Sequence, residues 1–191
     1  NPVYPPPVGE VIAARRNQLL VGAWEPDQDR SVIYASRPDY PHEFRLDRDF
    51  TLVPGRITLL ASVSQGILIG TDRAIFVDAI DAPLQRIADY GVPPGGPAWD
   101  DRDTVWFWSL RGLCRALPFT NLTDAALAVT ARAQVTSGVI PWEGSTYAVV
   151  HQRGATLTAP TRANTAPTLQ SGGRCSAKIV PSMPEVQGDS S

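Results

Sequence analysis

Short apolar runs, each closed by a turn, are the feature of this sequence that most restricts its fold. Runs of about four to eight apolar residues bounded by Gly, Pro, Asn, Asp or Ser are typical of β-strands, whereas helices repeat their apolar positions every three or four residues. The pattern predicts strands at Leu19–Trp24, Ser31–Ser36, Arg56–Val63, Ile67–Gly70, Ala74–Asp78, Thr104–Ser109, Leu113–Ala116 and Thr146–His151. The short turns between them predict an all-β fold built from antiparallel meander sheets.

One segment fits either a helix or a strand. Residues Asp124–Ala133 read DAALAVTARA, in which alanine and leucine favour a helix while valine and threonine favour a strand. Across the whole chain, the 15 glycines and 18 prolines are too frequent for a helical bundle. The sequence therefore leaves this segment open and predicts β-structure for the rest of the body.

Composition divides the chain into three parts. Residues 1–9 (NPVYPPPVG) are dense in proline and predict an extended arm, and residues 10–153 carry the strand patterns of a β-rich body. Residues 154–191 are rich in Thr, Ala, Pro, Ser and Gly and contain no aromatic residue. We expect this low-complexity arm to be flexible alone and to become ordered by lying across a partner subunit.

The charge balance excludes a general affinity for polyanions. Lys and Arg number 17 against 19 Asp and Glu, a net charge of -2, so no basic field attracts nucleic acid or an anionic membrane surface. The only lysine is Lys178, and the excess of arginine favours planar, bidentate pairing with carboxylates at packed contacts. No apolar run reaches the roughly 18 residues of a membrane-spanning segment. We expect neither sequence-specific nucleic-acid recognition nor a membrane span.

The usual catalytic and cofactor motifs do not occur in the chain. It has no G-x-S-x-G, H-E-x-x-H, G-x-x-x-x-G-K or G-x-G-x-x-G segment, which removes the common signatures of nucleophile, zinc and nucleotide sites. His42, in a loop with two prolines, and His151, at the end of a strand, each fit a structural position. Cys114 and Cys175 lack the spacing of metal ligands. The sequence predicts no catalytic residue, no cofactor and no metal ion.

Aspartates gather in three loops, each of which also contains an arginine. The loops are EPDQDR with Arg30, LDRDF with Arg48 and WDDRD with Arg102. Alternating aspartates can bind calcium, but none of these loops continues into the glycine and distal glutamate of an EF-hand. Turns held by local Asp–Arg pairs explain the loops better, and a β-rich hydrolase that uses Asp100 or Asp101 is a weaker alternative.

The segment Trp106-Phe107-Trp108 has aromatic side chains on both faces of a predicted strand. Alternation places the two tryptophans on one face and Phe107 on the other, so each face needs some cover. We interpret this segment as an inner strand of a packed sheet. A stacking surface for sugars or bases is the functional alternative.

Two stretches of the body resemble one family of phage proteins. In the first, Tyr34-Ala35-Ser36 precedes a proline-containing loop, and Gly66-Ile67-Leu68 leads to a strand that follows Thr71-Asp72. Further matching positions in this stretch are Arg37, Pro38, Pro41, Phe44, Ile75 and Phe76. In the second, residues 88–123 run from ADYG through a Gly/Pro loop to the aromatic strand and a turn at Ser109, Arg111-Gly112 and Leu113. This order is similar to blades of the β-propeller-like hub, nozzle and distal-tail proteins of bacteriophage tails.

The resemblance covers about Gln18 to Thr123 and implies a function as well as a fold. A blade takes about 40 to 45 residues, so the body holds three at most, as a partial propeller or an open assembly of sheets. The family is structural, which implies a non-catalytic component of the virion tail that assembles with other tail proteins, as a homo-oligomeric ring. The inter-subunit contacts expected on this interpretation are arginine pairs around Arg37, Arg45, Arg48 and Arg102.

A second interpretation is a carbohydrate- or receptor-binding β-module. Its possible stacking surfaces are Trp24, Trp99, Trp106, Trp108 and Trp142. The C-terminal segment favours assembly over a compact enzyme, because a long stretch without aromatic residues is typical of an arm.

Overall fold

The computed structural model describes residues 2–79, 82–95, 98–101, 104–123, 135–142, 145–152, 168–170 and 174–179. Within these residues the strands form four antiparallel sheets, which confirms the prediction of an all-β fold with antiparallel sheets. In the first three sheets neighbouring strands are mostly consecutive in the chain, so short turns connect them. The segment Asp124–Ala133, which fitted either a helix or a strand, lies outside the described residues.

Among the described residues each sheet has four or five strands. The first sheet contains β1 (Val11–Arg15), β2 (Gln18–Glu25), β3 (Arg30–Arg37), β4 (Tyr40–Phe44) and β5 (Phe50–Pro54). The second contains β6 (Ile57–Val63), β7 (Gly66–Thr71), β8 (Ile75–Ala79) and β9 (Gln85–Ala88). The third contains β10 (Ala98–Asp101), β11 (Thr104–Ser109), β12 (Gly112–Arg115) and β13 (Thr120–Asn121). The fourth contains β14 (Val135–Trp142), β15 (Ser145–Gln152), β16 (Thr168–Gln170) and β17 (Arg174–Ile179).

The strands predicted from apolar runs all occur, with ends that differ by one residue at most. The strands that the apolar pattern missed are mainly short or at sheet edges. β4 is an example: its segment was expected to be a loop because of Pro41, yet it pairs with β3 at Ser36 and Arg37. Proline is tolerated there because an edge strand leaves part of its backbone without a ladder partner.

The second sheet lies between the first and the third, and its two faces form separate apolar cores. The core shared with the first sheet contains Leu20, Ile33, Val53, Ile57, Leu60, Ile67, Ile69, Ala74 and Phe76. The core shared with the third sheet contains Leu59, Leu68, Ile75, Val77, Ala88, Val92, Val105, Phe107, Cys114 and Ala116. Every residue of β7 is buried, because its alternating side chains enter both cores.

The aromatic strand β11 is an inner strand, paired with β10 on one side and β12 on the other. Phe107 is fully buried in the core shared with the second sheet. On the opposite face Trp108 is only 2% exposed, while Trp106 is half-buried. The interpretation of this segment as a strand covered on both faces is confirmed.

Turns in the second and third sheets are built in the same way around a buried hydroxyl group. At the end of β7, Thr71 Oγ1 accepts hydrogen bonds from the backbone N–H groups of Arg73 (3.3 Å) and Ala74 (3.0 Å). At the end of β11, Ser109 Oγ accepts one from Arg111 N (3.1 Å) and donates to Gly112 O (2.9 Å). Side-chain hydroxyls that bond nearby backbone groups are a common way to stabilise a turn.

Backbone contacts hold the second sheet to the third at Gly91. A Cβ atom at this position would lie 2.3 Å from the carbonyl carbon of Asp72, so only glycine fits against this turn. The carbonyl oxygen of Gly91 accepts a hydrogen bond from Leu110 N (2.9 Å), and Val92 N donates to Thr71 O (2.7 Å). The two hydroxyl-containing turns are thereby joined through one short segment.

Both terminal segments contribute pairing to the sheets. Tyr4 exchanges two backbone hydrogen bonds of 2.9 Å with Phe44, which places the proline-rich segment beside the first sheet. β17 pairs with β15 from Thr146 to His151 and also with β16. The boundary expected between residues 153 and 154 therefore falls within the fourth sheet.

Candidate functional site

Ion pairs at the surface bridge the first and second sheets. Arg73, in the turn between β7 and β8, donates to both carboxylate oxygens of Asp29 at 2.6 and 2.8 Å. Arg56 donates in the same bidentate way to Glu10 at 2.7 and 2.8 Å. These pairs are solvent-exposed, so they set the orientation of the sheets more than they stabilise them.

The Asp29–Arg73 pair changes the proton affinity of both groups. The hydrogen bonds from Arg73 and its positive charge lower the pKa of Asp29, against an opposing effect of burial. The same interaction raises the pKa of Arg73, as the carboxylate of Glu10 does for Arg56. The local pairing expected between Asp29 and Arg30 is wrong, because Arg30 instead bonds Glu25 (2.9 Å), its cross-strand neighbour.

The arginines expected at subunit contacts occupy different environments. Arg37 pairs with Glu43 and stacks on the Tyr40 ring, 4.7 Å from its centroid. Arg45 and Arg48 lie in the loop between β4 and β5. The side chain of Arg48 is 3.8 Å from a carboxylate oxygen of Asp49. Arg102 lies outside the described residues, and nothing in the structure tests a subunit contact at any of these positions.

A cleft opens where the apolar packing between the first and second sheets ends. We call it the arginine cleft; its volume is about 450 Å³. Its lining residues are Arg15, Gln18, Leu20, Ile33, Ala35, Pro38, Arg45, Arg48, Asp49, Phe50, Thr51, Ile67 and Asp78. Both charged side chains and buried apolar side chains therefore line the cleft, a combination typical of small-molecule sites.

Arg45 is the unusual group in this cleft. Its Nε atom is buried without a hydrogen-bond acceptor, and no described residue forms an ion pair with its guanidinium group. By contrast, Arg15 donates to Gln18 Oε1 at 3.1 Å. Also in the cleft lining, Thr51 Oγ1 lies 3.5 Å from Asp78 Oδ2. In this cleft, therefore, Arg45 has no ion-pair partner among the described residues. The other hydrogen-bonding side chains, Arg15, Gln18, Thr51 and Asp78, contact one another locally or at long distance.

The tryptophans differ in their ability to serve as stacking surfaces. Trp108 is 2% exposed and cannot meet a sugar or a base without opening the third sheet. Trp24 and Trp106 are half-buried in β2 and β11. Trp99 belongs to β10 and Trp142 to β14. Burial therefore excludes Trp108 as a stacking surface, while Trp24 and Trp106 keep part of their surface exposed.

Other chemistry is sparse in the described part of the chain. No group of three or more His, Cys, Asp and Glu side chains that could hold a metal ion occurs among the described residues. The His42 side chain is 73% exposed, 3.9 Å from Glu43, and His151 lies in β15. Asp100 and Asp101, the aspartates of the hydrolase alternative, belong to β10.

None of the described helical segments has the length and apolar character needed to cross a membrane.

Sequence reasoning selected two of the cleft arginines but did not place them together. Arg45 and Arg48 were singled out as contact residues, whereas Arg15, Thr51 and Asp78 were not. The missed residues come from three different strands, so no local motif joins them. The alternation in Phe50-Thr51-Leu52 predicts Thr51 on the solvent face, opposite to its place in the cleft, so this segment gave no signal for the site.

Comparisons of the chain with protein-family models, with curated proteins and with solved structures found no match.

Proposed function

We propose that this chain is a non-catalytic structural subunit of a bacteriophage tail, which assembles with copies of itself and with other tail proteins into a ring. The proposal begins from the resemblance of residues 18–123 to blades of β-propeller-like tail proteins. Its support in the structure is the arrangement of the first three sheets. Consecutive meander sheets packed face to face are the arrangement of propeller blades.

The observation that carries the proposal is an apolar outer face on the first sheet. Ile12, Val21, Tyr34 and Phe50 lie opposite one another across β1, β2, β3 and β5, on the face turned away from the second sheet. Ile12 is 64% exposed, Phe50 41% and the nearby Leu52 42%. Gly9, in the proline-rich segment, lies against Val21. Since Ile12, Phe50 and Leu52 stay exposed, this segment covers only part of the face. We use the term outer face for Ile12, Phe50 and Leu52.

Assembly explains this exposure because a subunit packed on the outer face would remove apolar surface from water. Large apolar side chains left exposed on one face of a sheet are candidates for a contact surface. The second sheet provides a precedent within the same chain, since both of its faces are covered by neighbouring sheets. A neighbouring subunit would give the first sheet the same environment.

The experiment compares the full chain with two variants by analytical ultracentrifugation over a range of concentrations. We expect a discrete oligomer for the wild type and a shift towards monomer for Ile12→Asp, because a buried carboxylate without a partner opposes association. The control is Leu122→Asp, which alters another exposed aliphatic residue, 46% exposed against 64% for Ile12, beyond the third sheet. This control should assemble normally.

Peptide mass spectrometry of density-purified phage particles then tests the tail assignment itself. A constant, low copy number relative to the major tail protein supports the assignment. A monomer at all concentrations, together with absence from particles and abundance in the soluble lysate, contradicts it.

A further inference from the structure

We propose that the arginine cleft binds a small monocarboxylate sugar of the hexuronic acid class, with Arg45 as the group that holds the carboxylate. The proposal does not depend on the role in the tail. It rests on the charge, hydrogen-bonding groups and volume of the cleft.

Arg45 provides the anion-binding group. Its Nε atom is buried without an acceptor among the described residues, and the guanidinium forms no ion pair with any of them. A planar carboxylate in the cleft would pair with the other N–H groups of the Arg45 guanidinium, which form no ion pair with any described residue, because a guanidinium group can bind a carboxylate through two parallel hydrogen bonds. The other cleft arginines have contacts with Gln18 and Asp49, which leaves Arg45 available for a ligand.

The charges of the cleft favour a ligand with a single negative charge. Arg15, Arg45 and Arg48 line it together with Asp49 and Asp78, so arginines exceed aspartates by one. A monocarboxylate neutralises this excess. A polyphosphate or a dicarboxylate would bring further negative charge close to the two aspartates, which is unfavourable in a partly buried site.

The remaining lining residues favour a hydroxylated ligand over a purely apolar acid. Gln18, Thr51 and Asp78 offer donors and acceptors around the cleft, and aspartate carboxylates accept hydrogen bonds from hydroxyl groups. Leu20, Ile33 and Ile67 also line the cleft but are at most 6% exposed, so recognition of the ligand falls to the polar groups. A volume of about 450 Å³ is within the range of sites for ligands of this size.

The test uses the full chain and titrates it by isothermal calorimetry with sodium glucuronate, glucose, acetate and N-acetylglutamate amide. We expect saturable binding of glucuronate and at least about tenfold weaker binding of glucose, which lacks the carboxylate. Acetate should also bind more weakly, because it lacks the hydroxyl groups. A glucuronate-containing oligosaccharide shows whether the cleft accepts the sugar only free or also within a polysaccharide.

The variants assign the binding to Arg45. Arg45→Met should weaken glucuronate binding about tenfold or more without lowering the melting temperature, since Arg45 Nε has no acceptor to lose among the described residues. Arg45→Lys, which keeps the charge but not the planar fork, should give an intermediate affinity. The control Arg86→Met removes an arginine that pairs with Asp89 (2.8 Å) outside the cleft and should bind as the wild type does.

Several results would overturn the proposal. They are the absence of saturable glucuronate binding, equal affinity for glucose, and unchanged affinity in a folded Arg45→Met variant. Equal or tighter binding of N-acetylglutamate amide would also overturn it, and would identify the occupant as an acidic side chain of a protein. If Arg45→Met fails to fold by circular dichroism, the affinities of Arg45→Lys and Arg86→Met for glucuronate are compared instead. Weaker binding by Arg45→Lys supports the proposal, and equal binding by the two variants overturns it.

Discussion

At the scale of single residues, the Asp29–Arg73 pair makes the stability of the fold depend on pH. Because the pKa of Asp29 is lowered in the folded chain, the pair stabilises the fold above the unfolded pKa, and this contribution is lost as the pH falls through the folded pKa. We predict that Asp29→Asn melts at a slightly lower temperature than the wild type at neutral pH, that the difference begins to shrink below about pH 4, and that it disappears only below the folded pKa of Asp29. Thermal melts followed by circular dichroism across this range measure both effects.

The control for this prediction is Asp27→Asn, in the 3-10 turn (Pro26–Gln28) that precedes Asp29. Asp27 is exposed and forms no ion pair with any residue that the structure describes. Its replacement should leave the melting temperature unchanged at every pH. A pH-independent effect of Asp29→Asn, or an equal effect of Asp27→Asn, would contradict the assignment of the pH dependence to this pair.

At the scale of elements, the buried hydroxyl groups of Thr71 and Ser109 determine the stability of two turns. Thr71→Val keeps the shape of the side chain but removes the acceptor for the N–H groups of Arg73 and Ala74. We predict a loss of about 1–3 kcal/mol in the free energy of unfolding, measured by urea denaturation, because buried backbone donors lose their partner. Ser109→Ala should also destabilise the chain, through the turn between β11 and β12.

The matched variants for the turns are Thr71→Ser and Ser109→Thr, which retain the hydroxyl group. Thr71→Ser should cost less than Thr71→Val, since only a methyl group is removed. If Thr71→Ser is as destabilising as Thr71→Val, packing of the methyl group rather than hydrogen bonding is the source of the stability.

At the scale of the whole molecule, β7 couples the first three sheets. Leu68 faces the core shared with the third sheet and Ile69 faces the core shared with the first, and both are fully buried. We predict that Leu68→Ala and Ile69→Ala each lower the free energy of unfolding by about 2–5 kcal/mol, through lost burial and a residual cavity. Leu52→Ala on the outer face of a monomeric preparation should cost far less, because Leu52 is 42% exposed.

The same coupling predicts cooperative unfolding. Amide hydrogen exchange with increasing urea should remove the protection of β3 and β11 in one step, although these strands belong to different sheets and do not pair directly. Loss of protection in β11 at a clearly lower urea concentration than in β3 would show that the second sheet does not couple its neighbours.

The positions of the inner strands of the first three sheets were predictable because their signal is local, whereas the inner strand β17 lies in a segment expected to be an arm. A buried strand such as β7 needs apolar residues in consecutive positions, and β11 needs large side chains on both faces. Edge strands need neither consecutive apolar residues nor large side chains on both faces. Tyr40–Phe44 therefore resembled a loop, and β1, whose exposure alternates, gave only a weak apolar pattern.

The sequence by itself determined the all-β class, the inner strands of the first three sheets and the turn residues, since all of these depend on periodicity and on the conformational preferences of neighbouring residues. Only the tertiary structure decided which charged groups meet. Asp29 reaches Arg73 instead of the adjacent Arg30, and Arg15, Arg45 and Asp78 line one cleft, because packing the first sheet against the second brings distant segments together. The physical reason is that charged side chains pair according to distance in space, and in this chain that distance is set by apolar burial along both faces of the second sheet.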